Sequence, residues 1–171
     1  MPFAPEVLSL EQLRLVNGLG DLRNDAWESP HPDIHPDLTE LAPTFSPAIE
    51  QVSENVYNAR GFDPANTTFV EGDDGVIVID AMTVVDTAEK AMLAFREICD
   101  KPVKALIYTH DHGDHVFGAA AFVDPADVAS GDVPVIAHRD LVAEIGRLQS
   151  QNFAIMGARA MYHTGALLPE G

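Results

Sequence analysis

From residue 49 onward, apolar and polar positions sort into recognisable elements. The segment IEQVSENVYNARG (49–61) reads as a strand, and NTTFVEG followed by VIVID reads as two more, joined by the Asp- and Gly-rich turn at 73–75. Val76 to Ile79 is a continuous apolar run, which suits a strand buried on both faces. Val85, Ala88, Met92, Phe95 and Ile98 then recur at helical spacing within VVDTAEKAMLAFREIC. Pro102 ends that pattern, and Val103 to Tyr108 (VKALIY) reads as a second buried strand. Strand, helix, strand in this order predicts a right-handed parallel crossover. A short helix is predicted over 116–122 and a third strand over 133–137. Residues 139–162 read as helix with a break near Gly157. No internal repeat is evident. The pattern as a whole predicts an α/β fold, a mixed sheet whose central strands are parallel.

Residues 1–48 differ in kind. They hold most of the chain's 12 prolines, and SPHPDIHPDLTELAPTFSP predicts an extended arm, since proline interrupts both helix and ladder. Ahead of it, Ser9 and Gln12 make a capping box. Leu10, Leu13 and Val16 lie along one face until Gly18 and Gly20 end a short amphipathic helix. The predicted organisation is therefore a proline-rich arm (1–48) and a folded domain (49–171).

Composition narrows the function. With 171 residues, 46% of them apolar, the chain can bury a core. Its 27 acidic against 10 basic side chains leave a formal charge of -17, which repels phosphate backbones, so nucleic acid is not an expected partner. The single Cys99 lies in the apolar helical pattern and has no partner for an internal disulfide. The N-terminal segment has neither a basic region nor a long apolar one, and no run of about 18 apolar residues occurs. No membrane span is expected, and the expected location is the cytoplasm.

The chemistry concentrates in Thr109-His110-Asp111-His112-Gly113-Asp114-His115, directly after the 103–108 strand. Three imidazoles and two carboxylates there stand at the C-terminal edge of parallel strands, where open α/β sheets bind ligands. In an extended loop His110 and His112 project to one side and can share a metal. The turn at Gly113 lets Asp114 and His115 swing round to hold another. Imidazole with carboxylate suits zinc, iron or manganese. A solvated polar loop is the plainer alternative. Yet the chain's own His and Asp frequencies give HxHxDH by chance in only about one such chain in a thousand.

HDHGDH after a strand ending in Tyr108-Thr109, with GVIVID upstream, resembles the metal-binding signature of the metallo-β-lactamase superfamily. More narrowly, ENVYNARGFDPANTTFVEGDDGVIVIDAMTVVDTAEKA, YTHDHGDHVFGA, DVASGDVPVIAH and GALLPEG resemble the zinc-dependent alkyl sulfatases that hydrolyse sodium dodecyl sulfate. The resemblance implies the first half of an αβ/βα sandwich. It also implies a site for two zinc ions, His110 and His112 serving one, Asp114 and His115 the other, with a metal-bound hydroxide as nucleophile and no separate catalytic side chain. The implied substrate is a small sulfate ester. The family's remaining ligands lie further downstream than residue 171, so the 49–171 domain is expected to be truncated. Two alternatives follow. One is a non-catalytic half-domain that exposes an apolar sheet face and forms a homodimer or associates with another chain through it. The other is a hydrolase of a different ester, a lactone or a thioester, because the metal loop is common to all of these.

Other residues take lesser roles. Asp80 ends the strand beside the 103–108 strand, so its carboxylate is expected next to the loop, hydrogen-bonded to the free nitrogen of a ligand histidine. His138 closes the third strand at the same edge and reads chiefly as a surface residue, as do His31, His35 and His163. Arg159 and Tyr162 fall where the resemblance places residues on the substrate side, and arginine suits a sulfate oxyanion. Asn66, Thr67 and Thr68 read as hydrogen-bonding residues at a strand start.

Overall fold

Six strands line up in the order in which the chain makes them. In the computed structural model, which describes residues 35–163, they are β1 (Ala48–Ser53), β2 (Val56–Arg60), β3 (Thr67–Glu71), β4 (Val76–Ile79), β5 (Val103–Ile107) and β6 (Val135–Ile136). β1 to β4 form an antiparallel meander, whereas β4, β5 and β6 run parallel. The expected mixed sheet with parallel central strands is present.

Two strand readings change. The segment 49–61 is a hairpin rather than one strand: β1 and β2 pair antiparallel from Ala48↔Arg60 to Ser53↔Val56. The polar Ser-Glu-Asn stretch supplies the turn, and the Gln51 side-chain amide closes it by donating to the Glu54 carbonyl at 2.8 Å. The apolar run of β4 is also less enclosed than expected. Val76 and Val78 are wholly buried, but Ile77 on the opposite face is 37% exposed. Lys104 on β5 and Ile136 on β6 are exposed too. One sheet face is therefore the core, and the other is largely open.

The core face packs on α2 (Val85–Arg96), which buries Ala88, Ala91, Met92, Ala94 and Phe95. The short helix α1 (Pro36–Leu41) and a 3-10 turn (Ala42–Phe45) precede the sheet. Phe69 on β3 stacks on Phe95 with ring centroids 4.1 Å apart and planes 4° from parallel, while Tyr57 and Phe122 meet the same pair edge-on. Each such aromatic contributes about 1.5–3 kcal/mol by burial. Cys99 is buried beside them as a free thiol.

Helix α1 and the turn after it lie in the segment read as an extended arm. Pro36 opens α1 and Pro43 falls in the first turn of the 3-10 segment, positions where a missing N–H costs nothing. The helix predicted around Ser9 to Val16, and His31, lie outside the described residues.

Beyond α2 and β5 come the one-turn helix α3 (Gly113–Val116), a 3-10 turn (Ala119–Ala121) and α4 (Pro125–Ser130). The predicted 116–122 helix is thus interrupted at Gly118. α4 starts with Asp124, whose carboxylate accepts from the Ala126 amide at 2.7 Å, and stops at left-handed Gly131. The chain divides at Ala137/His138 into two units. The second holds α5 (Leu141–Arg147), a π-helical turn (Leu148–Asn152) and α6 (Phe153–His163). The helix break expected near Gly157 lies instead at 148–152. Gly157 sits inside α6 with open space where a Cβ would be, so nothing there forces an interruption.

Candidate metal centre

β4 and β5 end side by side, with Ile79 paired to Ile107. The next residue after β4 is Asp80, and the residues after β5 run through Tyr108 and Thr109 into the histidine loop. Parallel pairing therefore delivers a carboxylate and an imidazole cluster to one sheet edge. Burial holds the Tyr108 hydroxyl at that edge above the usual tyrosine range in pKa.

Asp80 is buried, at 6% exposure, and each of its oxygens is used. Oδ1 accepts from the Thr109 amide at 2.8 Å. The Thr109 hydroxyl lies 3.0 Å from Oδ1 and 2.7 Å from Oδ2. Oδ2 also lies 2.8 Å from Nδ1 of His115. The Thr109 hydroxyl is in turn 2.9 Å from Nδ1 of His110. If that hydroxyl gives its proton to Asp80, it can accept from the His110 Nδ1–H. Both rings are then held with Nε2 free and carrying its lone pair. Asp80 thus orients one imidazole directly and a second through Thr109.

The rings converge. His110 is 4.0 Å from His115 and 4.8 Å from His112 between ring centroids. Donor atoms of Asp80, His110 and His115 all lie within 4.8 Å of one another. Asp114 in α3 brings Oδ2 to 3.6 Å from Nε2 of His115. The donor set of imidazole nitrogens with one free carboxylate is chemically suited to a zinc-type ion. Both Asp80 oxygens are already engaged, by Thr109 and His115.

The backbone beneath this carboxylate is strained. Asp80 (φ 63°) and Met82 (φ 62°) both adopt the left-handed conformation, which costs a non-glycine residue about 1–3 kcal/mol. Bonds on every side hold the turn. The Asp80 amide donates to the Ile107 carbonyl at 2.8 Å, the Ala81 amide to the His115 carbonyl at 2.7 Å, and the Gly118 amide to the Met82 carbonyl at 3.2 Å. The buried Thr67 hydroxyl donates to the Asp80 carbonyl at 3.1 Å. Gly118 is needed for this approach, because a Cβ there would overlap the Ala81 carbonyl oxygen.

His35 and His138 are exposed, each turned toward a nearby aspartate, Asp37 and Asp140. Arg159 lies on the exposed surface of α6 in the second unit, and of Tyr162 and His163 only the helical backbone is described. Thr67 has its place at a strand start, and so does Thr68, whose hydroxyl accepts from the Asn58 amide at 3.1 Å. Sequence reasoning passed over Thr109 and Gly118. Thr109 stands between a strand end and a histidine, where a hydroxyl within reach of both neighbours was a legible signal. The tight approach of Gly118 to residue 81 leaves no local trace.

Comparison with known proteins converges on the same region. The profile of the metallo-beta-lactamase superfamily matches residues 60–155. An (R)-specific secondary-alkylsulfatase from a Pseudomonas species is 34% identical over 150 residues, covering 86% of this chain and 22% of that protein. A linear primary-alkylsulfatase from a Pseudomonas species is 37% identical over 120 residues, covering 70% of this chain and 18% of that protein. Among solved structures, a stereoselective inverting sec-alkylsulfatase from Pseudomonas superposes with a TM-score of 0.68 at 28% identity, over 98% of this chain and 27% of that one. The chain thus spans about a fifth of the length of the alkylsulfatases it matches.

Proposed function

Since this chain belongs to the metallo-beta-lactamase superfamily, we propose that its histidine loop is a zinc site and that the chain serves the hydrolysis of small alkyl sulfate esters. His110 and His112 would hold one ion, and Asp114 and His115 a second. The observation that carries this reading is the paired anchoring of His110 and His115 through Nδ1, directly to Asp80 for His115 and through Thr109 for His110, with the two rings 4.0 Å apart between centroids. The choice of substrate is supported by the likeness to secondary and primary alkylsulfatases.

A divalent cation, when bound, supplies Lewis acidity toward the ester and lowers the pKa of water. The chain's own residues do the rest. Asp80 accepts the proton of His115 Nδ1 and so fixes the tautomer that presents Nε2. Thr109 transmits the same constraint to His110. Buried Asp80 also compensates the positive charge gathered at the edge.

The test uses the full chain. Zinc per polypeptide is measured after dialysis, and inorganic sulfate released from dodecyl sulfate is measured with zinc added. Retained zinc with sulfate release is the expected result. Retained zinc with cleavage of a thioester or lactone instead would redirect the substrate class, and absence of metal binding would end the reading.

The open sheet face favours a second reading, association with another copy or another polypeptide. Ile77 and Ile136 are 37% and 50% exposed there, and an apolar strip on a sheet is a common docking surface. Light scattering discriminates: a species heavier than one chain, made lighter by Ile77→Lys, is expected, and a monomer in both would exclude it.

A further inference from the structure

The strained turn that aims Asp80 is tied down from a side the metal loop does not reach. Asp63, in the loop between β2 and β3, places Oδ1 3.1 Å from the Thr83 amide and 2.6 Å from the Thr83 hydroxyl. Its Oδ2 accepts from the Thr87 hydroxyl at 2.7 Å, in the first turn of α2. Thr83 directly follows left-handed Met82. The backbone of Asp80, Ala81 and Met82 is bonded by the sheet and by residues 115–118, whereas the partner of Thr83 comes from across the connection, 20 residues earlier.

We propose that Asp63 is a positioning residue for the metal centre: by gripping Thr83 it holds the left-handed Asp80–Met82 turn, and through it the carboxylate that orients His115 and His110. Two physical points support this. A turn with two left-handed non-glycine residues relaxes toward ordinary backbone unless its exit is fixed. A carboxylate accepting both an amide and a hydroxyl from one residue fixes that exit more firmly than a single neutral bond. The base of the strut is itself rigid. Gly61 (φ 76°) packs so closely against the Phe45 and Ser46 backbone that no Cβ fits, and Phe62 is buried beside it. The two carboxylate oxygens divide the work. Oδ1 serves the turn, while Oδ2 serves a helix hydroxyl that already has a second acceptor, the Val84 carbonyl at 3.0 Å. The inference deepens the reading of the loop as a metal site and rests on it only for its metal arm.

Amide hydrogen exchange by NMR on the full chain, without metal, tests the positioning directly. In Asp63→Ala the Thr109 and Ala81 amides, which donate to Asp80 and to His115, should exchange about tenfold faster than any general change in the sheet amides of Phe69 and Val78 accounts for. Thr87→Val should show no such excess. Asp63→Asn, which keeps an oxygen for Thr83, should restore protection. If Asp63→Ala does not fold, Thr83→Val should give the same local excess. Exchange at Thr109 and Ala81 that rises no more than in the sheet would overturn the proposal. In a cobalt(II) titration followed by visible absorbance, Asp63→Ala should bind about tenfold more weakly than wild type. Equal affinity would also overturn it. A wild type that takes up no cobalt would sink the metal reading instead, with the exchange result still standing.

Discussion

Asp80 and His115, 35 residues apart in the chain, meet with Oδ2 2.8 Å from Nδ1, and the Ala81 amide next to that carboxylate donates to the His115 carbonyl. The residue that orients the ring is thus locked to the ring's own backbone. Removing the carboxylate should weaken zinc binding by about 10- to 100-fold. Asp80→Ala and Asp80→Gly separate this from strain. Both lose the carboxylate, but glycine takes φ 63° freely, so the Gly variant should be about 1 kcal/mol the more stable. Chelator competition reads the first effect and urea denaturation the second. Equal stability of the two variants would count against a strained turn.

Thr109 should matter through its hydroxyl. Thr109→Val removes a donor from a buried carboxylate and should cost about 1.5–3 kcal/mol in stability, while Thr109→Ser should stay near wild type. The same variant should loosen His110 more than His115, seen as broadening of the His110 ring signals in NMR. Parallel behaviour of the two rings would contradict the relay.

Gly118→Ala places a methyl group on the Ala81 carbonyl and against the Ala88 side chain. The backbone must shift, at a cost of about 1–3 kcal/mol. Chemical denaturation should show that loss, and zinc affinity should fall with it. Gly157→Ala, with open space around it, is the matched control and should be neutral or slightly stabilising.

Alkali should unfold the domain through its tyrosines. Burial, reinforced by the Glu71 charge, raises Tyr57 above 10.0, and burial raises Tyr108 likewise. A raised phenol is favoured in its neutral form by folding. Its contribution is therefore fully present below the unfolded value of 10.0 and is lost as pH rises through the folded one. Lys101, raised by its hydrogen bond with Glu71, has the same sign: its contribution is present below 10.5 and lost above. Melting temperature should be insensitive to these three groups from neutrality to about pH 9.5 and fall beyond it. Tyr57→Phe should soften that fall. A variant that fell just as steeply would exclude Tyr57 as a contributor.

What the sequence revealed and what it hid divide along one physical line. Helix α2 was legible because Ala88, Met92 and Phe95 repeat at helical spacing, and HDHGDH was legible because its donors are consecutive. Asp80 was within reach because two adjacent strand ends fix it by pairing alone. The β1–β2 hairpin was missed because Ser-Glu-Asn carries no glycine or proline to mark a turn. Asp63 gave no sign, since its partners stand 20 and 24 residues away. The left-handed turn at Asp80 and Met82 was equally silent, because it is set by bonds from Thr67, Ile107, His115 and Gly118. Local pattern reads out elements, and only tertiary contact reads out how they aim a side chain.

The spatial order β1 to β6, identical to the chain order, bears on how the molecule comes into being. The first four strands join neighbours across short loops, so their closure entropy is small and they can zip as the polypeptide emerges. β5 and β6, each parallel to the strand before it, must wait for intervening helices to dock. Asp80, the Thr67 bond and the Asp63 grip all lie in the portion synthesised first, but the Ile107, His115 and Gly118 bonds that complete the turn arrive with the histidines. The carboxylate and the rings it orients are therefore locked in one late step, when residues 107–118 close on a turn whose first supports are already made.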